Sequence, residues 1–174
     1  MYKILLVDDD PTFIKMLATH IEKAGYSVDT ASDGHVALAL LKKTKPDLLV
    51  LDILMPTVNG YEVAHYIKSD PDLENMPIIL FSSHPFQPND EINDLVGIYY
   101  LNKSCNPKEL TDKISRVLER PATPRKIDEE VVQENFKEFF KYDHNVIDGI
   151  KRIIKFRIEK TLKEKSDENR FLQD

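Results

Sequence analysis

The sequence predicts an α/β protein: a doubly wound, five-stranded parallel sheet followed by an α-helical C-terminal extension. Three observations carry that prediction. Up to about residue 120, short apolar runs alternate with segments whose apolar residues recur at helical spacing. Three of the five runs are nearly unbroken, as parallel strands covered by helices on both faces must be. Two runs end in acid: Ile4-Leu5-Leu6-Val7 runs into Asp8-Asp9-Asp10, and Leu48-Leu49-Val50-Leu51 into Asp52.

The first strand is Lys3–Val7. Asp10-Pro11 then reads as an N-cap followed by proline at the first helical position, and Phe13, Met16, Leu17 and Ile21 form an apolar stripe. The second strand, Ser27–Ala31, precedes a helix carrying Val36, Leu38, Leu40 and Leu41. The third strand spans 47–52, and Asn59-Gly60 opens a helix with Val63, Tyr66 and Ile67. The fourth strand is Ile78–Ser82. After it, His84-Pro85-Phe86-Gln87-Pro88 and little periodicity before Gly97 predict a degraded helix, since proline removes a helical donor. The fifth strand spans 99–101. Asn106-Pro107-Lys108-Glu109 starts the next helix, with Glu109 placed to complete a capping box and Leu110, Ile114, Val117 and Leu118 as its apolar face. Right-handed crossovers lay such helices over both faces of one sheet. Ligands then bind beyond the carboxyl ends of the strands, where strand order reverses. Asp8, Asp9 and Asp52 sit at carboxyl ends.

The domain expectation is 1–120 for the α/β unit, 121–126 for a linker around Pro121 and Pro124, and 127–174 for a helical segment with a frayed end. In the last segment Ile147, Ile150, Ile154 and Ile158 recur at spacings of 3, 4 and 4. A lone helix cannot bury such a stripe, so it must pack on the first domain, on a second copy through residues 127–165, or on a partner protein. Lys151, Arg152, Lys155, Arg157, Lys160, Lys163 and Lys165 crowd the same stretch, which admits a nucleic-acid reading. Against it stand the net charge of −6, the acidic start from Asp128 to Glu138, and the lack of a recognisable helix-turn-helix. Nucleic acid is therefore not an expected partner.

Other classes fall away on composition. Cys105 is the single cysteine, which excludes an intrachain disulfide and a thiolate metal cluster. No apolar stretch approaches the roughly 18–20 residues of a membrane span, and the N-terminus lacks a signal-peptide layout, so the expectation is a cytoplasmic protein with no membrane insertion. Adjacent carboxylates repel one another, and a fold tolerates them where a cation sits. Most often that cation is a divalent one.

The strand-end residues form an ordered set. Val7-Asp8-Asp9 follows the first strand and Asp52-Ile53-Leu54-Met55-Pro56 ends the third. Asn59-Gly60 opens the next helix, Ser82 ends the fourth strand, and Lys103 follows the fifth. In that set residues 1–120 resemble the receiver domain of two-component response regulators, a flavodoxin-like fold. The resemblance implies that Asp52 accepts a phosphoryl group from a sensor histidine kinase or phosphotransfer protein. It implies a Mg²⁺ cofactor held by Asp9 directly, by Asp8 largely through water, by Asp52, and by the backbone carbonyl of Leu54. Lys103 would neutralise a phosphoryl oxygen, Ser82 would donate its hydroxyl to another, and Tyr100, three residues before Lys103, would be the aromatic of the switch. His84 and Leu54 would flank the water that hydrolyses the phosphate. Asp10 falls outside the matched pair and is expected to cap the first helix. A receiver catalyses only its own phosphorylation and dephosphorylation and is not otherwise an enzyme.

The chain departs from the family pattern at three points. Ser104 follows Lys103, where receivers commonly carry proline after a cis bond. A non-proline cis bond costs about 3–4 kcal/mol, so either that strain is kept or a trans loop shifts the ammonium. Ser82 replaces a commoner threonine, and the segment after the fourth strand is irregular on the face receivers use to signal. Two other readings remain open: a phosphorylation-independent pseudo-receiver scaffold, and a DNA-binding transcriptional regulator. An α/β phosphohydrolase would need a second aspartate two residues after Asp52, where Leu54 stands.

Overall fold

The computed structural model describes residues 1–83 and 97–119, together with residues 155, 159, 160 and 163. Strands β1 (Lys3–Val7), β2 (Ser27–Ala31), β3 (Leu48–Asp52), β4 (Ile78–Ser82) and β5 (Ile98–Asn102) form one parallel sheet in the order β2-β1-β3-β4-β5. Its helices are α1 (Pro11–Lys23), α2 (Gly34–Thr44), α3 (Gly60–Ser69) and, last among the described elements, α4 (Pro107–Leu118). Strand order reverses between β1 and β3, so the crevice expected of a doubly wound sheet opens at their carboxyl ends. Four strand boundaries differ little from the sequence expectation. β5 gains one residue at each end because Ile98 pairs with Ile78 and Asn102 with Ser82, so its length follows its neighbour more than its own hydrophobicity.

Side chains alternate between two helical layers, as the two-residue period of a strand demands. On one face Ile4, Leu6, Val50 and Phe81 pack against Leu17 and Ile21 of α1 and Leu110 and Ile114 of α4. On the other, Leu5, Leu49, Leu51 and Leu80 meet Ala37 and Leu41 of α2 and Val63 and Ile67 of α3. Each such side chain, fully buried, contributes roughly 1.5–3 kcal/mol. Two apolar residues assigned to the stripes face outward instead: Met16 and Val36 are 41% and 40% exposed. Each neighbours a core residue in sequence, Leu17 or Ala37, and so lies about 100° around the helix from it.

The helix starts follow their caps. Asp10 Oδ1 accepts from the backbone N–H groups of Thr12 (2.8 Å) and Phe13 (3.1 Å). Asn106 Oδ1 accepts from the Glu109 N–H at 2.9 Å, but the Glu109 carboxylate takes the Asn106 side-chain amide at 2.7 Å, so the expected capping box is only half formed. A complete box stands at α3, where Asn59 accepts from Tyr61 and Glu62 while Glu62 accepts from the Asn59 N–H at 2.9 Å.

One charged side chain belongs to the core. Lys68, on α3, is 1% exposed, and its Nζ donates to the carbonyls of Glu74 (2.9 Å) and Met76 (2.7 Å) just before β4. Gly97, with φ +62°, lies so close that a Cβ there would approach the same nitrogen to 3.1 Å. This buried amine sits at the amino-terminal pole of the sheet, away from the aspartates. Among the described tail residues, Lys160 forms an ion pair with Glu74 of the α3–β4 loop. The degraded helix with His84, the linker, and the stripe of Ile147, Ile150, Ile154 and Ile158 lie outside the described residues. Among the described residues no helix is long and apolar enough to cross a membrane.

Candidate functional site

β1 and β3 are neighbours in register, with Val7 opposite Leu51, so the next residues, Asp8 and Asp52, emerge side by side. Both are buried, at 1% and 3% exposure, whereas Asp9 is exposed. Oxygen atoms of Asp8, Asp9 and Asp52 all lie within 4.8 Å of one another. Into this cluster reaches Lys103 from the loop after β5. Its Nζ stands 2.7 Å from Asp8 Oδ2 and 3.0 Å from Asp52 Oδ2. The backbone holds the other carboxylate oxygens: Asp8 Oδ1 accepts from the Asp10 N–H at 3.0 Å, and Asp52 Oδ1 from the Leu54 N–H at 3.2 Å.

Burial pushes the Asp52 carboxyl above its ordinary value. Lys103 draws it back down and the Asp8 charge pushes it up again, leaving it raised. Burial alone would lower the Lys103 ammonium, but its contacts with Asp8 and Asp52 outweigh that and hold it above its ordinary value. Two carboxylates and one ammonium thus share a half-enclosed space.

The site suits a hard cation. Asp8 Oδ2 is buried, and the Lys103 ammonium at 2.7 Å occupies at most one of its lone pairs. Such an oxygen has coordinating capacity to spare. Together with the exposed Asp9 and the strand-end Asp52 it forms an all-oxygen set of the kind Mg²⁺ takes, with room for waters on the open side. These residues fit the ion that the resemblance implies.

Ser82 and Tyr100 sit beside the cluster. Ser82, at the end of β4, is 1% exposed, and the Tyr100 ring is 7% exposed, with its hydroxyl donating to the Ser82 carbonyl at 3.3 Å. The two residues expected to act as a switch pair are therefore in contact. Leu54 is 53% exposed at the mouth of the site. His84, its expected counterpart, lies outside the described residues. Asp10 serves α1 as expected. The Lys103–Ser104 bond is trans, since no peptide bond among the described residues is cis. On this trans loop the Lys103 ammonium, whose position such a loop could shift, pairs with both Asp8 and Asp52.

Three supporting residues escaped sequence reasoning. Gly60 packs so tightly behind the site that a Cβ there would fall 2.2 Å from the Asp52 carbonyl oxygen, and its N–H donates to the Ile53 carbonyl at 3.0 Å. Thr57, between Asp52 and α3, has φ +68°, a left-handed conformation that strains a β-branched residue. Phe13 stacks on Phe81 with ring centroids 5.7 Å apart and carries Lys103 Nζ at 5.3 Å from its own centroid. The glycine left a signal in sequence as the residue after the Asn59 cap, and Phe13 only as a member of the first helix's apolar stripe.

With this geometry in place, similarity to known proteins becomes informative. A family model described as the response regulator receiver domain matches residues 4–115. A probable transcriptional regulator, ycf27, from Guillardia theta is 38% identical over 123 residues, 68% of this chain and 46% of that protein. The alkaline phosphatase synthesis transcriptional regulatory protein PhoP of Bacillus subtilis is 28% identical over 159 residues, 80% of this chain and 64% of that one. The chain thus spans less than two thirds of the length of either relative. Among solved structures, the chemotaxis protein CheY4 of Vibrio cholerae is similar over 67% of this chain and 98% of its own, at 30% identity and a TM-score of 0.60. The N-terminal domain of a response regulator receiver protein from Methanoculleus marisnigri is similar over 70% of this chain and 99% of its own, at 34% identity and a TM-score of 0.55.

Proposed function

Because the chain belongs to the response regulator receiver family, we propose that it is a phosphorylation-dependent switch of a two-component system, with Asp52 as phosphoacceptor. The observation that carries this reading is a buried strand-end carboxylate 3.0 Å from an ammonium and within 4.8 Å of two further carboxylates. An Asp52 oxygen attacks the phosphorus of a phosphohistidine on a sensor kinase or phosphotransfer protein. The O–P bond forms as the N–P bond breaks, and the imidazole leaves with a proton. Charge in such a transfer spreads over the equatorial phosphoryl oxygens, so catalysis is mainly positioning and neutralisation. Lys103 moves its ion pair from Asp52 to the incoming oxygen, and the Ser82 hydroxyl donates to a second. Asp8 and Asp9, with Asp52 and the Leu54 carbonyl, would hold Mg²⁺, which supplies charge neutralisation when bound. Tyr100, already touching Ser82, would carry the change to the α3 side of the sheet.

The receiver is not an enzyme in the ordinary sense, and a cytoplasmic setting fits its phosphodonors. Output falls to the C-terminal segment, through a homodimer or a protein partner. The ion pair of Lys160 with Glu74 supports a tail that also meets its own receiver. A second output reading, DNA binding, gains support from relatives named as transcriptional regulators, against the expectation drawn from charge. A duplex-binding titration at several salt concentrations separates it from protein docking, because phosphate contacts make affinity fall steeply with salt.

The phosphoacceptor claim is tested with Mg²⁺ and a small donor such as acetyl phosphate or phosphoramidate. The expected product is acid-stable, base-labile, dependent on Mg²⁺ and missing in Asp52→Asn. A wild-type protein that binds Mg²⁺ yet stays unlabelled by both donors would refute the claim and leave the scaffold reading.

A further inference from the structure

We propose that Asn102 and Ser104 form a clasp that positions the Lys103 side chain, with the Phe13 ring as its outer wall. The inference deepens the phosphoryl-site reading, since it concerns the residue taken there to neutralise the transferred group. Ser104 brings two donors to one acceptor: its backbone N–H and its hydroxyl reach Asn102 Oδ1 at 2.8 and 2.7 Å. The neighbouring N–H groups are committed as well. Lys103 donates to the Ser82 carbonyl at 2.9 Å and Cys105 to the Asn102 carbonyl at 3.0 Å. Three successive N–H groups therefore tie the loop back to β4 and to Asn102, and the backbone at Lys103 is fixed from both sides.

Fixing the backbone aims the side chain, and the ring confines it. Phe13 lies in stacked contact with Phe81, at an interplanar angle of 14°, so it cannot readily swing away. Its face meets the Lys103 ammonium at 5.3 Å, within the distance at which a ring quadrupole attracts a cation. Asp8 and Asp52 complete the surroundings. A proline at position 104 would have neither N–H nor hydroxyl and could make neither clasp bond. Serine places the lysine by hydrogen bonding in a trans loop. Asn102 and Phe13 are positioning residues here, because they act through Lys103.

The test uses the full chain with Asn102→Ala, which removes both clasp bonds, and Ser104→Ala, which removes one. Ser104→Thr keeps both donors, and Phe13→Leu removes the ring but keeps an apolar side chain. The first readout is the ¹⁵N order parameter of the Lys103 ammonium in metal-free, unphosphorylated protein. It should fall clearly below the wild-type value in Asn102→Ala, fall less in Ser104→Ala and Phe13→Leu, and match wild type in Ser104→Thr. The second is labelling by phosphoramidate. The rate at saturating Mg²⁺ should drop about tenfold in Asn102→Ala while the half-saturating Mg²⁺ concentration moves less than about twofold. That drop should vanish in a Lys103→Met background. An unchanged order parameter in a folded Asn102→Ala protein overturns the proposal. So does an equal rate loss with and without Lys103, which marks a merely structural role. Because the first readout needs no phosphorylation, failure of the phosphoacceptor reading would leave the clasp separately decided.

Discussion

Replacing Gly60 with alanine adds one methyl group where the fold leaves none. The new Cβ would stand 2.2 Å from the Asp52 carbonyl oxygen and 2.8 Å from Ile53 Cα, and ordinary contact begins at 3.4 Å. Relief therefore requires a displacement of about 1.2 Å, the difference between 3.4 and 2.2 Å. Both obstructing atoms are backbone, so no side chain can rotate out of the way. Overpacking of this kind costs about 1–3 kcal/mol, and its upper end applies here. For a domain of this size that lowers Tm by roughly 10 °C. Movement of the Asp52 backbone on that scale displaces its carboxylate relative to Lys103, and a misplacement of about 1 Å costs on the order of a hundredfold in rate. Thermal unfolding and phosphoramidate labelling measure the two effects on one preparation. Gly25→Ala is the control: its φ of +94° makes alanine strained, but nothing lies within 4 Å of the added carbon. The control should lose about 1 kcal/mol and label at the wild-type rate. A Gly60→Ala protein as stable and as quickly labelled as wild type would refute the close-packing account of how Asp52 is placed.

Three further outcomes follow from other residues. Asp52 has a raised carboxyl in the folded state, so the native protein binds more protons than the unfolded chain from the unfolded value of 3.8 up to the folded one. Its contribution is fully present below 3.8 and is lost as pH rises through the folded value. Asp52→Asn should thus stabilise the metal-free protein at neutral pH, by a margin that shrinks towards pH 3.8, as urea titrations in chelator would show. Lys68→Met keeps the volume but removes the donor to two carbonyls, and should cost about 2 kcal/mol in the same titrations while leaving labelling unchanged. Thr57→Gly relieves a left-handed threonine and should raise stability by about 1 kcal/mol. A loss there would mean that the Thr57 side chain contributes more than its strain removes.

Much of this molecule was legible because its signals are local. β1, β2 and β4 begin and end at the residues expected of them, and Asp10 and Asn106 cap the helices they precede. The aspartates and Lys103 could be placed together because each ends or follows a strand, and parallel strands bring their carboxyl ends to one pole. What escaped is tertiary. Gly60, Val63, Ala64, Ile67 and Lys68 all lie on the buried face of α3, so Lys68 continues a stripe whose earlier members are small or apolar. Its partners are backbone carbonyls of the following loop, which sequence does not mark. Phe13 reads as one more core aromatic until Lys103, far along the chain, settles on its ring. Met16 and Val36 fit helical spacing yet face outward, since a stripe drawn from spacing alone is wider than the contact the sheet offers.

The buried Lys68 amine has a consequence for experiment. An ammonium gripped by two carbonyls at 1% exposure cannot meet an aqueous acylating reagent while the α3–β4 junction is closed. Its modification therefore has to wait for that junction to open, and with a reagent slower than reclosing the labelling rate tracks the open fraction. Most lysines on the described surface react at once. One silent amine at the pole opposite Asp52 lets a mass spectrometer gauge how readily the far end of the sheet opens.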